Sequence, residues 1–288
     1  MKLQVAGLEI EATSVGGMET CIEVPSYRLC FDMGRCPPSA ARHRWVCITH
    51  GHVDHLGGIA YHAALRLLVG SPAATYFVPA EIEDDVHELM DVWRRLDRSS
   101  LPARIVGVKP GDRIEVGRDR FVEVFRAYHR VPTVGYALQR GKRKLKAAFV
   151  GWSEAEIRAH REAGNEVSER IYPTELAFCG DTTVKVIEKE DLPVSARTLV
   201  LECTFLDDPA AAKRADRSGH VHLGAIAEHA ERLRDVETLV LSHFSRRYEA
   251  DEIAEAVARS LPAWLVPRVK LITAEPPWTT KVSEGPRP

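Results

Sequence analysis

Four side chains able to bind a metal, His50, His52, Asp54 and His55, fall within six residues, directly after the apolar run Trp45 to Ile48. The pattern predicts a strand that runs into a rigid turn, with a metal site at the strand end. Imidazole nitrogen binds zinc at about 2.0 to 2.1 Å and carboxylate oxygen at similar range, so one fixed turn can aim several donors at a single point. Gly51 stands between the first two histidines, and its missing side chain lets the backbone turn tightly. Asp54 and His55 then open the following helix and point to a second position beside the first. A lone His-x-His is often just a solvated loop, but the full His-x-His-x-Asp-His makes two metals on one turn the expectation.

The rest of the chain suits an enzyme of ordinary size. Its 288 residues, 45% apolar, suffice for a sizeable core. Residues 1–274 are expected to form one domain, and the proline-rich 275–288 a C-terminal extension. No run of 18 apolar residues occurs, and Met1-Lys2-Leu3-Gln4 lacks the apolar core of a secretory signal, so a soluble, cytoplasmic protein without a membrane partner is expected. Cys30, Cys47 and Cys179 lie in apolar runs and no Cys-x-x-Cys pair occurs, which reads as buried, reduced thiols outside any metal site.

Strand and helix patterns alternate. Arg28 to Met33 and Trp45 to Ile48 read as strands, His55 to Leu68 as a helix, Thr75 to Val78 as a strand and Glu81 to Leu96 as an amphipathic helix. Arg104 to Val108, Phe121 to Tyr128 and Val134 to Leu138 are short strand candidates. The second half offers strands at Leu176 to Cys179, Thr198 to Cys203, Thr238 to Ser242 and Val269 to Thr273, with helices at Leu223 to Leu233 and Asp251 to Ser260. Two β-rich halves with outer helices predict an α/β, four-layer αββα sandwich, with the site where the sheet edges meet. Three more donors stand at the ends of strand-like runs: His129, Asp181 and His243.

These residues resemble a known family. His-x-His-x-Asp-His at 50–55, His129-Arg130-Val131-Pro132 followed by Gly135-Tyr136, Gly180-Asp181-Thr182, Glu202-Cys203-Thr204-Phe205, and His243-Phe244-Ser245 with Arg247-Tyr248 are similar to the metallo-β-lactamase superfamily, and within it to the ribonuclease Z branch. The resemblance implies that His50, His52 and His129 hold one zinc, that Asp54, His55 and His243 hold another, and that Asp181 bridges the two. It implies that Asp54 also orients or deprotonates a water. It gives His220 the protonation of the leaving oxygen, with Glu202 fixing the tautomer of that imidazole and raising its pKa. His222, two residues on, is the alternative donor, and the apolar run after the pair favours His220. Asp32, in an Asp-x-Gly turn, resembles a brace for the metal loop that does not itself bind metal. The other histidines, at 43, 62, 87, 160 and 229, are expected to be structural.

The implied activity is a dinuclear zinc phosphodiesterase that processes the 3′ end of precursor tRNA. A metallohydrolase for small phosphodiesters or other esters is the alternative, and the complete ligand set argues against a mere binding module. The resemblance also implies a homodimer, and Mn²⁺ or Fe²⁺ can replace zinc in such sites. With a formal charge of −2, tRNA has to be met by local basic patches. Arg246 and Arg247 beside His243 are one. Lys142, Arg143 and Lys144, flanked by Arg140 and Lys146, are another, and Arg94, Arg95 and Arg98 a third. Two features depart from the branch. The tRNA-gripping arm expected between Arg130 and Gly180 is shortened or absent, and Gly16 to Thr20 lacks the branch's basic N-terminal loop.

Overall fold

The computed structural model describes residues 1–206, 208 and 210–273. Two seven-stranded sheets form its centre. The first contains, in spatial order, β1 (Lys2–Val5), β2 (Leu8–Val15), β3 (Glu19–Val24), β4 (Leu29–Phe31), β5 (Trp45–Cys47), β6 (Ala74–Pro79) and β7 (Ala103–Val108). The second is built from β8 (Arg113–Gly117), β9 (Arg120–Arg126), β10 (Val134–Arg140), β13 (Thr174–Phe178), β14 (Thr198–Glu202), β15 (Thr238–Ser242) and β16 (Val269–Leu271). In each, four strands run parallel, β4 to β7 and β13 to β16, and the remainder form an antiparallel flank. The central parallel strands are buried on both faces, which is why β14 and β15 read as unbroken apolar runs.

Three apolar cores separate four layers. Between the sheets, Ile22, Phe31 and Phe77 of the first meet Tyr136, Leu138, Phe178 and Val240 of the second, and the rings of Phe31 and Phe178 stack with centroids 5.3 Å apart. Outside the first sheet, α2 (Ile59–Leu68) and α3 (Glu83–Asp97) bury Ile59, Ala63, Val86 and Met90 against Val46 and Ile48. Outside the second, α5 (Leu223–Glu228) and α6 (Ala250–Ser260) bury Ile226, Ile253 and Val257 against Leu199, Leu201, Leu239 and Leu241. The αββα sandwich is therefore present.

Several elements differ from the sequence expectation. The first 24 residues, left unassigned above, supply β1, β2 and β3. The helix expected from His55 to Leu68 is two, α1 (Val53–Leu56) and α2, because the chain at 57–58 turns its hydrogen bonds onto the β4 loop. Met33 N–H donates to His55 O at 2.7 Å and Gly58 N–H to Met33 O at 2.8 Å, and a β-carbon on Gly58 would lie 2.8 Å from that same oxygen. The strand expected to Tyr128 stops at Arg126, with the Tyr128 N–H taken by Thr182 Oγ1. The helix expected to Leu233 stops at Glu228 and continues as a short 3₁₀ turn.

Between β10 and β13, residues 142–171 form a small unit apart from both sheets. In it β11 (Lys142–Leu145) pairs with β12 (Ser168–Ile171), and α4 (Glu154–Glu162) lies between them, started by a Ser153–Glu156 capping box. All six cysteines are buried and free. Among the described residues no helix is long and apolar enough to cross a membrane. The extension expected from 275 lies outside the described residues.

Candidate active site

Every loop that follows β4, β5, β9, β13, β14 and β15 arrives at one edge of the sandwich, and each contributes a polar residue there. The arrangement starts at Asp32, buried after β4 with φ +56°. Its carboxylate accepts the Thr49 N–H at 2.7 Å, the Thr49 hydroxyl at 3.0 Å and His55 Nδ1–H at 2.7 Å. The Thr49 hydroxyl in turn lies 3.0 Å from His50 Nδ1. On the opposite side Glu202 Oε2 accepts the Thr204 hydroxyl at 2.7 Å, which lies 3.0 Å from His243 Nδ1. His129 Nδ1 is held by Gly219 O at 2.8 Å. Four imidazoles thus have Nδ1 engaged, which fixes the tautomer and leaves Nε2 to face inward. Gly180 permits the convergence: at φ +60°, its β-carbon would stand 2.6 Å from the Thr49 side chain.

The inward atoms form three groups, each with its ligand atoms all within 4.8 Å of one another: His50, His52, His129 and Asp181; Asp54, His55 and His243; and Asp181, His220 and His243, which links the other two. Asp181 Oδ1 lies 3.3 Å from both His55 Nε2 and His243 Nε2, and those two nitrogens are 3.4 Å apart. Two ligands each about 2.0–2.1 Å from a tetrahedral ion stand roughly 3.3–3.4 Å from one another, so the spacing is that of co-ligands. His50 Nε2, His129 Nε2 and Asp181 Oδ1 are moreover buried without any hydrogen-bond partner. Such atoms are costly to bury unless a cation meets them. The residues present fit divalent metal.

The electrostatics agree. Burial holds His50, His52 and His129 below the ordinary imidazole range, so they are neutral at pH 7, the state in which a ring nitrogen binds metal. For His55, burial is outweighed by the Asp181 and Asp32 carboxylates, which raise it. Burial would raise Asp54, yet hydrogen bonds from His243 and His55 hold it well below the usual carboxylate range.

His220 belongs to the linking group. Its Nδ1 is 2.8 Å from Glu202 Oε1 and 3.9 Å from Asp181 Oδ2, and the side chain is 15% exposed. Burial pulls this imidazole down, but the Glu202 carboxylate prevails and raises it to about 9. Glu202 is itself fixed by the N–H groups of Thr182, Thr204 and Val221. His222 is used otherwise: it caps α5, its Nδ1 accepting the Ala225 N–H at 3.3 Å. Arg246 and Arg247 lie exposed after His243, and the Arg247 guanidinium is 5.8 Å from the centre of the Phe205 ring, which also borders His220.

Other candidates lie elsewhere. Lys142 binds Glu175 at 3.2 Å, at the start of β13, while Asp181 follows its far end, on the order of 20 Å away at strand rise. Arg143 and Lys144 are exposed on the same β11. Arg94 closes the end of α3 on Ser100 O and Leu101 O. His62 is buried between Tyr76 OH and Ala40 O, and His43 against Glu23. The sequence reading did not find Thr204 or Ser14, whose hydroxyl accepts the His243 N–H at 3.1 Å. Thr204 stands two residues after Glu202, a position that hints at it; Ser14 gives no signal.

A β-lactamase superfamily domain is matched over residues 30–244. A tRNase Z of Arabidopsis thaliana is 38% identical over 273 residues, which cover 94% of this chain and 97% of that one. The chain belongs to the ribonuclease Z family of the β-lactamase superfamily. A second, chloroplastic tRNase Z of the same plant is 34% identical, with 89% of this chain and 73% of that one covered. Among solved structures, the short form of human tRNase Z superposes with a TM-score of 0.55 at 17% identity, covering 83% of this chain and 93% of that one. A metallo-β-lactamase fold protein of Bacillus subtilis, YhfI, reaches a TM-score of 0.60 at 13% identity, with coverage of 90% and 93%. These two likenesses concern the fold. Membership of the superfamily implies a divalent metal, and the His/Asp cluster is a set of side chains that could hold it.

Proposed function

We propose that this chain is an endoribonuclease that cuts precursor tRNA on the 3′ side of the discriminator nucleotide and leaves a 3′ hydroxyl. The observation that carries the reading is the Glu202–His220 pair, 2.8 Å apart, in which the carboxylate engages Nδ1 of an imidazole that also borders Asp181 and His243. A separate proton donor is what a poor alkoxide leaving group requires. His50, His52 and His129 would hold one zinc ion and Asp54, His55 and His243 another, with Asp181 between them. When bound, such ions supply positive charge for the phosphoryl oxygens and acidity for an attacking water. Asp54 would accept a hydrogen bond from the attacking water, orient it and take the proton that it loses. Water oxygen bonds to phosphorus as the phosphorus–3′-oxygen bond breaks, and the proton on His220 Nε2 passes to the departing oxygen. Glu202 holds Nδ1–H throughout, so the proton given up is the one on Nε2.

The short 142–171 unit does not weigh against tRNA. The tRNase Z of Arabidopsis thaliana aligns over 97% of its own length, so a protein of that name is as compact as this one. Arg246 and Arg247 are suited to phosphate near the metals, and Arg143 and Lys144 to a more distant grip on RNA. We further infer one domain over residues 1–274, because a shared core joins the sheets, and a cytoplasmic homodimer. Support for the dimer comes from the helices outside the first sheet, where Val53 of α1, Leu68 of α2 and Leu96 of α3 are 80%, 81% and 71% exposed.

The deciding experiment is cleavage of an end-labelled precursor tRNA alongside an aryl phosphodiester by metal-loaded protein, with Asp181→Ala as control. A metal-dependent cut at the discriminator is expected. Aryl ester turnover with intact RNA would replace this reading by that of a small-substrate phosphodiesterase.

A further inference from the structure

Next to His129 the surface opens into a cavity of about 500 Å³, within the ~300–1,000 Å³ range of small-ligand sites. Its wall includes His129 and Gly219, so it borders a metal ligand and ends one residue before His220. We propose that this cavity is a nucleotide subsite, in which Arg126, Arg130 and Lys185 take the phosphate of a nucleotide flanking the scissile bond. The assignment rests on the ribonuclease reading and adds residues to it that no sequence motif marks.

Charge is the first support. Arg126, Arg130 and Lys185 line the cavity, are exposed, and have no carboxylate within 4.0 Å among the described residues. Arg94, Arg170 and Arg197, by contrast, are paired with Asp91, Asp119 and Glu237. Three unpaired cations on one wall form a place for an anion. The stem of Arg130 runs along the wall, where a β-carbon on Gly219 would lie 2.9 Å from its Cγ. Unsatisfied polarity is the second support. Thr133 and Thr183, also lining the cavity, each have a buried hydroxyl with no hydrogen-bond partner. The two carboxylates of the wall, Glu81 and Asp216, are acceptors suited to ribose hydroxyls and leave the cation excess in place.

The test uses metal-loaded full-length protein and Arg126→Ala, Arg130→Ala and Lys185→Ala. Each should raise KM for precursor tRNA about tenfold while kcat stays within about twofold, the mark of an interaction made equally in ground and transition states. Each should also lower the log–log salt slope of RNA binding by about 0.7, one phosphate contact to a single strand. Arg170→Ala, on β12, should do neither. Unchanged KM and salt slope in all three variants would overturn the subsite. If the unmodified enzyme leaves precursor tRNA intact, inhibition of aryl phosphodiester turnover by uridine 5′-monophosphate separates the two claims. Weaker inhibition in the variants keeps the subsite while the tRNA reading falls, and equal inhibition removes the subsite.

Discussion

One device occurs twice among the residues of the site, a threonine hydroxyl set between a carboxylate and an imidazole: Asp32–Thr49–His50 and Glu202–Thr204–His243. Each lets one carboxylate orient two functional groups, since Asp32 also holds His55 and Glu202 also holds His220. Thr204→Val, nearly isosteric, leaves His243 Nδ1 without its partner. The expected result is a folded protein with metal affinity lowered about 10- to 100-fold, read by competition with a chelating dye; unchanged affinity would show that the relay does not tune the ligand. His220→Ala should keep its metal and lose about 10²- to 10⁴-fold in RNA cleavage. An aryl phosphodiester, whose leaving group needs little protonation, should lose far less, and equal losses on both substrates would argue against the acid role. That His50, His52, Asp54, His55, His129, Asp181 and His243 would gather at one edge was legible because histidine and aspartate at strand ends are conspicuous. Glu202 and His220 were reached through family resemblance alone. Thr204 and Ser14 stayed hidden, since a small hydroxyl residue looks the same whether it faces solvent or holds a ligand.

At the scale of elements, the turn between α1 and α2 sets the metal loop. Apolar periodicity continues across Gly57 and Gly58, so pattern alone predicted a single helix. The break is imposed from outside, by the Met33 carbonyl and amide, and contacts remote in sequence leave no trace in local period. Gly58→Ala should cost about 1–3 kcal/mol, the usual penalty of overpacking, because its β-carbon meets Met33 O and Cys36 N at 2.8 Å. Denaturant unfolding measures this; a midpoint equal to wild type would mean the loop yields freely. Inside α2, His62 is held neutral, burial lowering its pKa from 6.5 to about 4. The unfolded chain therefore binds a proton that the folded one refuses, and stability present above pH 6.5 is lost as pH falls toward 4. The loss is on the order of 3 kcal/mol. His62→Gln should flatten that part of the stability curve relative to wild type; parallel curves would assign the acid sensitivity to other groups.

For the whole molecule, the exposed apolar positions fall at helical spacing, Tyr61 and Leu68 on α2 and Leu89, Trp93 and Leu96 on α3, with a groove of about 270 Å³ between the helices. Sedimentation should give a dimer for wild type and a monomer for Leu68→Asp/Leu96→Asp, both sites being exposed enough to leave folding intact. A wild-type monomer would remove the dimer from the reading. The four-layer architecture was legible from alternating elements, whereas the separate 142–171 unit was not, because its strands and helix have ordinary patterns and differ only in what they pair with.

The hydrogen bond from His243 N–H to the Ser14 hydroxyl joins residues 229 apart in sequence, and Gly16 N–H donates to Phe244 O at 3.0 Å beside it. During synthesis the early hairpin leaves the ribosome long before the strand it must hold exists. His243, in the left-handed conformation at φ +59°, is thus held by a part of the chain made long before it, and contacts of such high sequence separation slow folding. A chain truncated before β15 lacks His243 altogether and is expected to leave the RNA around it uncut.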